Sequence, residues 1–157
     1  MTQALDAQVS GGPYLQVACL CETVVQRRDN VLTLVNIIDR ISVTLQGQGA
    51  PETMPTMPFR ANLVMILKAG RARGRHELRI VLELPDGGSK EPVISSLNFE
   101  GEDDRGVQLV SPLIMTLTHE GLHWFAVYLD GRLLTRLPLR VVYARITGPT
   151  RFPEPPG

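Results

Sequence analysis

Apolar and polar residues alternate with a period of two along most of this chain, a pattern typical of strands that bury one face. The cleanest example lies between Arg75 and Leu84, where charged residues occupy most of the positions between apolar ones. Similar runs separated by Gly, Pro, Asp and Asn predict a series of short strands joined by turns. The runs with this pattern are 14–25, 59–68, 75–84, 92–97, 107–118, 121–129 and 132–143.

The strongest local signal is Asp130-Gly131, which stands between two of these runs. A two-residue hairpin loop needs positive φ at its centre, and Gly adopts positive φ without a Cβ clash. The sequence therefore predicts a tight β-hairpin within residues 121–141.

One run differs because it is apolar at consecutive positions. It extends over 31–38 and continues through Asp39 and Arg40 into 41–45. Such runs are typical of strands covered on both faces, so we expect it to be central. Asp39 would then be buried, and we expect it to form a structural ion pair or a turn.

Seven to nine short strands without an amphipathic helix predict an all-β protein, an antiparallel β-sandwich of immunoglobulin-like architecture. A small barrel is the alternative. Residues 14–146 form the predicted domain. Residues 1–13 are expected to be a flexible arm, and residues 147–157 a Pro-rich extended tail.

Composition narrows the possible partners. Lys plus Arg and Asp plus Glu both total 16, so the net charge is zero, which argues against bulk nucleic-acid binding. Cys19 and Cys21 share a predicted strand face and are wrongly placed for a disulfide, so we expect reduced thiols and a cytoplasmic location. No apolar stretch approaches the length of a membrane span.

Two stretches resemble a known family: Ala18-Cys19-Leu20-Cys21-Glu22 with residues 32–41 after a turn, and residues 121–131 with Leu137-Pro138-Leu139-Arg140-Val141. They are similar to an uncharacterised family of small bacterial proteins. The resemblance covers most of residues 15–143 and implies a single β-sandwich domain. It implies no activity and no catalytic residues.

The string from His119 to His123 matches the H-E-x-x-H pattern of zinc helices. Gly121 and the flanking strand-like residues oppose a helix, so we interpret the string as a turn between strands. We interpret the acidic run 100–104 as a solvated loop. No nucleophile elbow, phosphate loop or dinucleotide motif is present, so we expect no enzyme activity, no metal and no cofactor.

Exposed aromatic side chains are the better functional signal. If Phe125 faces the core, then Leu122, Trp124 and Tyr128 face outward and form a candidate interaction surface, which Phe152 of the tail could cover or extend. Arg71, Arg73 and Arg75 form a candidate basic turn.

These features predict a non-enzymatic binding or assembly subunit that acts through a protein partner or self-association. A small-ligand or carbohydrate site lined by Trp124 or Tyr143 is the alternative.

Overall fold

The computed structural model of the protein describes residues 11–148 and 155–156. Within them, nine β-strands form two sheets. The four-stranded sheet has the order β2-β1-β4-β7, and the five-stranded sheet has the order β3-β9-β8-β5-β6. The strands are β1 (Tyr14–Gln26), β2 (Leu32–Ile38), β3 (Arg40–Gln46), β4 (Met57–Lys68), β5 (Gly74–Glu83), β6 (Val93–Phe99), β7 (Gly106–Leu117), β8 (Gly121–Leu129) and β9 (Arg132–Ile146).

The all-β prediction and the hairpin prediction are confirmed. β8 pairs with β9 through a loop of Asp130 and Gly131, whose φ angles of 49° and 79° are both positive. Positive φ at both positions gives a turn whose twist matches that of the flanking strands. The run predicted at 92–97 corresponds to β6, an edge strand, and β7, which contains Ser111-Pro112, is also an edge strand.

The sheets are not wholly antiparallel, because β3 pairs with β9 in parallel over seven residue pairs, from Arg40–Arg140 to Gln46–Ile146. The chain reaches β3 directly from β2, and the two strands belong to different sheets. Asp39 lies at this crossing and is exposed, so the expectation that it is buried was wrong. Its carbonyl accepts a hydrogen bond from the backbone N–H of Arg140 (2.8 Å).

The two sheets share one hydrophobic core. Alternate residues of β4 and β5 point into it, as their sequence pattern predicts, and β8 and β9 contribute in the same way. Removing such side chains from water supplies the main stabilising free energy of the fold. The least exposed large members include Phe99, Leu63, Met65, Leu67, Leu78 and Leu139.

A register shift between Leu15 and Val17 changes which residues of β1 face the core. Leu15 packs against the core before the shift, and Ala18 and Leu20 do so after it. The alternation that would place Leu15 on the same face as Val17, Cys19 and Cys21 is broken here, because an inserted residue moves every later side chain to the opposite face. Both thiols are free, and burial raises the pKa of each.

The β1–β2 hairpin folds back over the four-stranded sheet. β1 pairs with β4 only as far as Cys21, and beyond that point only with β2. If β1 were straight, Gln26 would lie about 30 Å from Val17, the residue that pairs with Ile66 of β4. Instead, Gln26 and Asn30 line the same cleft, of about 510 Å³, as Ile66 and Lys68 of β4. The segment 22–38, here called the hairpin arm, therefore bends across the sheet.

Two side chains outside the shared core are also buried. Cys21 and Val64 alternate with core residues and face away from the core, yet both are 0% exposed. Asn62, on the same side of β4, donates a hydrogen bond to the carbonyl of Glu22 (3.1 Å) where the arm leaves the sheet. The expectation of a central, doubly covered run over 31–38 and 41–45 was wrong, since β2 and β3 are both edge strands.

The predicted terminal segments lie largely beyond the described residues, so their extent stays a prediction, as does any role of Phe152. Gly11 belongs to the predicted N-terminal arm, and its carbonyl accepts a hydrogen bond from the backbone N–H of Arg71 (2.9 Å). Within the part of the chain that the structure describes, no helix is long and apolar enough to cross a membrane.

Candidate interaction surfaces

The predicted aromatic surface lies on the outer face of the five-stranded sheet, the face turned away from the core. β8 points His123, Phe125, Val127 and Leu129 inward. It therefore turns Leu122, Trp124 and Tyr128 outward, and all three are half-buried.

Trp124 lies under an ion pair. The guanidinium of Arg136 stands 4.3 Å from the centroid of the Trp124 ring, and its Nη2 atom lies 2.6 Å from Oε2 of Glu83. A guanidinium over an aromatic face is attracted by the ring quadrupole, and the carboxylate fixes its position. Trp124 therefore belongs to an ordered cation–π and ion-pair cluster, which the sequence pattern did not indicate.

Cations outnumber anions on this outer face. The register places five arginines and two glutamates there, and the glutamates are Glu77 and Glu83. Arg40 of β3 and Arg140 of β9 are directly opposite each other, and Arg79 is opposite Tyr128. The arginines of this face, here called the arginine face, are Arg40, Arg75, Arg79, Arg136 and Arg140.

The three arginines of the candidate basic turn do not form one surface. Arg73 is held by Asp103 (2.9 Å) and donates to the carbonyls of Gly70 and Ala72, so it fixes the turn. Arg71 remains on the exposed turn, whereas Arg75 belongs to the arginine face.

A second surface, which the sequence reasoning missed, is the outward side of the hairpin arm. Its apolar side chains are well exposed: Val25 at 49%, Val35 at 39% and Ile37 at 67%, with Val31 at 48% beside the turn. The other residues on this side are Thr23 and Thr33, so the side carries no charge. The apolar run at 31–38 was the available signal, but it was interpreted as core.

The outer edge of β2 lacks the features that normally protect an edge strand. None of its seven residues is charged or a proline. The other edge of the same sheet, β7, carries Pro112, which has no N–H to offer an incoming strand. β2 therefore presents an apolar strand edge that can accept another strand.

The two histidines of the H-E-x-x-H string do not act together. β7 ends at Leu117 and β8 begins at Gly121, so the prediction of a turn is confirmed. His119 is exposed in that turn, whereas His123 is 1% exposed in the core. Burial lowers the pKa of His123, which favours its neutral form. Among the described residues, no group of three His, Cys, Asp or Glu side chains is placed to hold a metal ion.

Another charged cluster closes the β8–β9 hairpin onto β5. Asp130 Oδ1 accepts the backbone N–H of Glu77 (2.9 Å), and Asp130 Oδ2 lies 2.5 Å from Nδ1 of His76. The bond from Glu77, followed by that from His76, lowers the pKa of Asp130. The hairpin turn residue thus also fixes a third strand.

Two clefts of the structure are lined mainly by polar residues, together with Ile66, Leu67 and Val107 in one of them. The larger one lies at the tip of the hairpin arm and includes Lys68, Arg105 and Asp29 in its lining. The other, of about 440 Å³, lies at the acidic loop and is lined by Glu100, Gly101, Glu102 and Arg105. Neither is lined by Trp124 or Tyr143, and the hydroxyl of Tyr143 instead donates to the carbonyl of Pro51 (2.6 Å).

Comparison with protein families gives a match to a family of unknown function, DUF6941, over residues 16–142. The chain belongs to the DUF6941 family. The expected resemblance to an uncharacterised family is thereby confirmed, and the match spans every strand-forming region from β1 to most of β9.

A comparison with curated proteins gives no match. Among solved structures, the chain has 14% identity to an alkylpurine DNA glycosylase, AlkC, from Pseudomonas fluorescens, bound to DNA containing an abasic site analog. The match has a TM-score of 0.37 and covers 63% of this chain and 27% of the glycosylase chain. The chain thus spans about a quarter of the length of that protein.

Proposed function

We propose that this DUF6941 chain is a non-enzymatic assembly module, a β-sandwich of immunoglobulin-like size, that binds a second copy of itself. The observation that carries the proposal is the uncharged outward side of the hairpin arm, with its exposed valine and isoleucine side chains and the unprotected β2 edge. The free thiols of Cys19 and Cys21 support a reducing, cytoplasmic setting.

The arm gains stability from an added strand. A two-stranded ribbon is marginal in water, whereas more strands with an apolar face are stable. Beyond Cys21 the arm contains only β1 and β2. Antiparallel pairing of β2 with β2 of a second copy forms a four-stranded ribbon and uses the backbone N–H and C=O groups of the free edge.

Charges at the two ends of β2 support the antiparallel arrangement. Arg28 lies in the turn before β2, and Asp39 follows its last residue; both are exposed. In an antiparallel pair each end meets the opposite end of the second copy, so Arg28 approaches Asp39. Asp29 in the same turn is paired with Arg27 (3.1 Å), and β2 itself carries no charge, so two copies meet without repulsion along the strand.

The arginine face is a poor candidate for the same contact. Its cations are spread over three strands, so a twofold arrangement would place arginines against arginines. Like charges held close together oppose association. Self-association is therefore assigned to the hairpin arm.

Disulfide trapping tests the pairing directly. Val35 is the central residue of β2, so a twofold axis at the centre of the strand places the two copies of Val35 opposite each other. Directly opposed residues in an antiparallel pair have Cα atoms about 4.5–5.5 Å apart, within the range for a disulfide. We expect Val35→Cys to form a covalent dimer under mild oxidation, and Ile114→Cys, an exposed residue of β7, to remain monomeric.

Sedimentation analysis of the unmodified chain provides the second measurement. We expect a concentration-dependent dimer that Ile37→Asp shifts to monomer, while Ile114→Asp, at a position 73% exposed, leaves the dimer intact. A chain that stays monomeric at high concentration, together with equal trapping of the two cysteine variants, would refute the proposal.

A further inference from the structure

We propose that the arginine face, together with Trp124 and Tyr128, binds single-stranded nucleic acid. This surface lies on the five-stranded sheet and is separate from the hairpin arm, so the proposal does not depend on self-association. The overall neutral charge of the chain argues against bulk nucleic-acid binding, but the charges are segregated. The outer face of the sheet holds five arginines against two glutamates, whereas the loop 100–104 holds four carboxylates.

The arginines form a track across the sheet. Arg40 and Arg140 lie at one side on β3 and β9, and Arg79 lies on β5, three strand spacings from β3. Arg140 is opposite Leu122 and Arg79 is opposite Tyr128, so the two arginines also lie about 20 Å apart along the strand direction. The track therefore runs diagonally across the sheet, and Arg75 extends it further along β5. A polyanion crossing these strands contacts cations of three strands in succession.

The cations available on this track outnumber the anions. Glu83 forms an ion pair with Arg136. Within the described residues, no ion pair is formed by Arg40, Arg75, Arg79 or Arg140. Arg40 and Arg140 are a directly opposed pair of like charges, which is unfavourable in an isolated sheet. A phosphate between them would relieve that repulsion and accept hydrogen bonds from both guanidinium groups.

The aromatic residues favour nucleic acid over an acidic protein segment. Trp124 and Tyr128 lie four residues apart on β8, about 13 Å, with arginines on both neighbouring strands. Unpaired bases stack on aromatic rings and on guanidinium planes that flank a charged groove, whereas an acidic peptide needs only the cations. The Arg136–Trp124 pair already has this stacked arrangement. Duplexes hide their base faces, so the single-stranded form is the expected ligand.

The chain provides its own reporter, because Trp124 is its only tryptophan. We expect a labelled oligothymidylate to bind at low salt and to quench Trp124 fluorescence as a base approaches the ring. The logarithm of the binding constant should fall with the logarithm of salt concentration with a slope of about −2, as three phosphate contacts predict.

Charge reversal locates the site. Arg79→Glu and Arg140→Glu should each weaken binding about tenfold or more, whereas Arg71→Glu, the same change on the exposed β4–β5 turn, should leave it nearly unchanged. Circular dichroism before titration confirms that each variant is folded. Ile37→Asp should bind the oligonucleotide as the unmodified chain does, even where it abolishes dimers.

Three results would overturn the proposal. The first is no oligonucleotide binding at low salt. The second is equal loss of binding in Arg71→Glu, which would show a nonspecific charge effect. The third is polyglutamate that competes as well as oligothymidylate while Trp124 fluorescence stays constant, which would identify an acidic protein segment as the ligand.

Discussion

The hairpin arm and the arginine face are both exposed sheet surfaces of one chain, but they differ in charge and therefore in what they can contact. The outward side of the arm carries valine, isoleucine and threonine, and no charge. The other face carries five arginines around Trp124 and Tyr128. An uncharged surface can meet a copy of itself, whereas a surface with an excess of positive charge favours a negatively charged partner. The net charge of zero does not indicate that charged and uncharged residues occupy separate surfaces.

The largest loss of stability should come from a substitution in the core that supports both surfaces. Leu63 is fully buried between the sheets. Leu63→Ala should lower the free energy of unfolding by about 3 kcal/mol, because it removes buried methyl groups and leaves a cavity. Urea unfolding followed by circular dichroism measures this loss. A change below about 1 kcal/mol would contradict a shared, well-packed core.

Val64, the next residue, tests whether the arm covers the four-stranded sheet. It faces away from the core and is 0% exposed. If the arm packs over it, Val64→Ala should cost about 2 kcal/mol, close to a core substitution. Val25→Ala, on the exposed side of the arm, is the control and should change stability by less than about 0.5 kcal/mol. Equal small effects at both positions would show that the arm does not pack on the sheet.

Asp130, in the turn between β8 and β9, connects this hairpin to β5 through hydrogen bonds. Asp130→Ala removes the acceptor of the Glu77 N–H and the partner of His76, and should cost about 1 kcal/mol. The folded pKa of Asp130 is lowered, so its stabilising contribution is present above the unfolded value near pH 4 and is lost as the pH falls through the folded pKa. Unfolding curves should therefore show an acid-dependent loss of stability below about pH 4 that is smaller in Asp130→Asn.

His123 should produce a separate pH dependence at milder acidity. Burial lowers its folded pKa, so the unfolded chain binds a proton at a higher pH than the folded chain does. Stability is then fully present above the unfolded pKa of about 6.5 and declines as the pH falls below it. Melting temperatures between pH 7.5 and pH 5.5 should fall for the unmodified chain, and a folded His123→Leu variant should show a flatter profile. An unchanged slope would assign the effect to another group.

The smallest effect concerns the ion pair over Trp124. Glu83→Gln should change stability by less than about 1 kcal/mol, since the pair is partly exposed. It should nevertheless alter Trp124 fluorescence, because Arg136 loses the carboxylate that holds it above the ring. No spectral change would mean that the guanidinium is positioned without Glu83.

The sequence predicted the parts of the fold that depend on local pattern. Alternation identified β5, and Asp130-Gly131 identified the β8–β9 hairpin, because each signal lies within a few neighbouring residues. The position of β2 could not be obtained in this way. An apolar run is compatible with a buried central strand and with an edge strand that exposes one face, and only long-range pairing distinguishes them. The register shift after Leu15 and the parallel β3–β9 pair also depend on contacts between distant segments.

The same distinction holds for the surfaces. Outward-facing Trp124 and Tyr128 followed from alternation along β8. The arginine face did not, because its cations come from β3, β5 and β9, which are far apart in the chain and become neighbours only through the order of strands in the sheet.

The parallel pairing of β3 with β9 has a consequence for how the protein is made. Among the strands that the structure describes, β3 has only β9 as its neighbour in the sheet, and β9 is the last of them. During synthesis, residues 40–46 must therefore wait, with their backbone groups unpaired, until about a hundred further residues have been translated. Such a late-closing, non-local pairing slows folding and exposes a strand to chaperones or to neighbouring nascent chains. The five-stranded sheet is thus completed only after β9 has been synthesised.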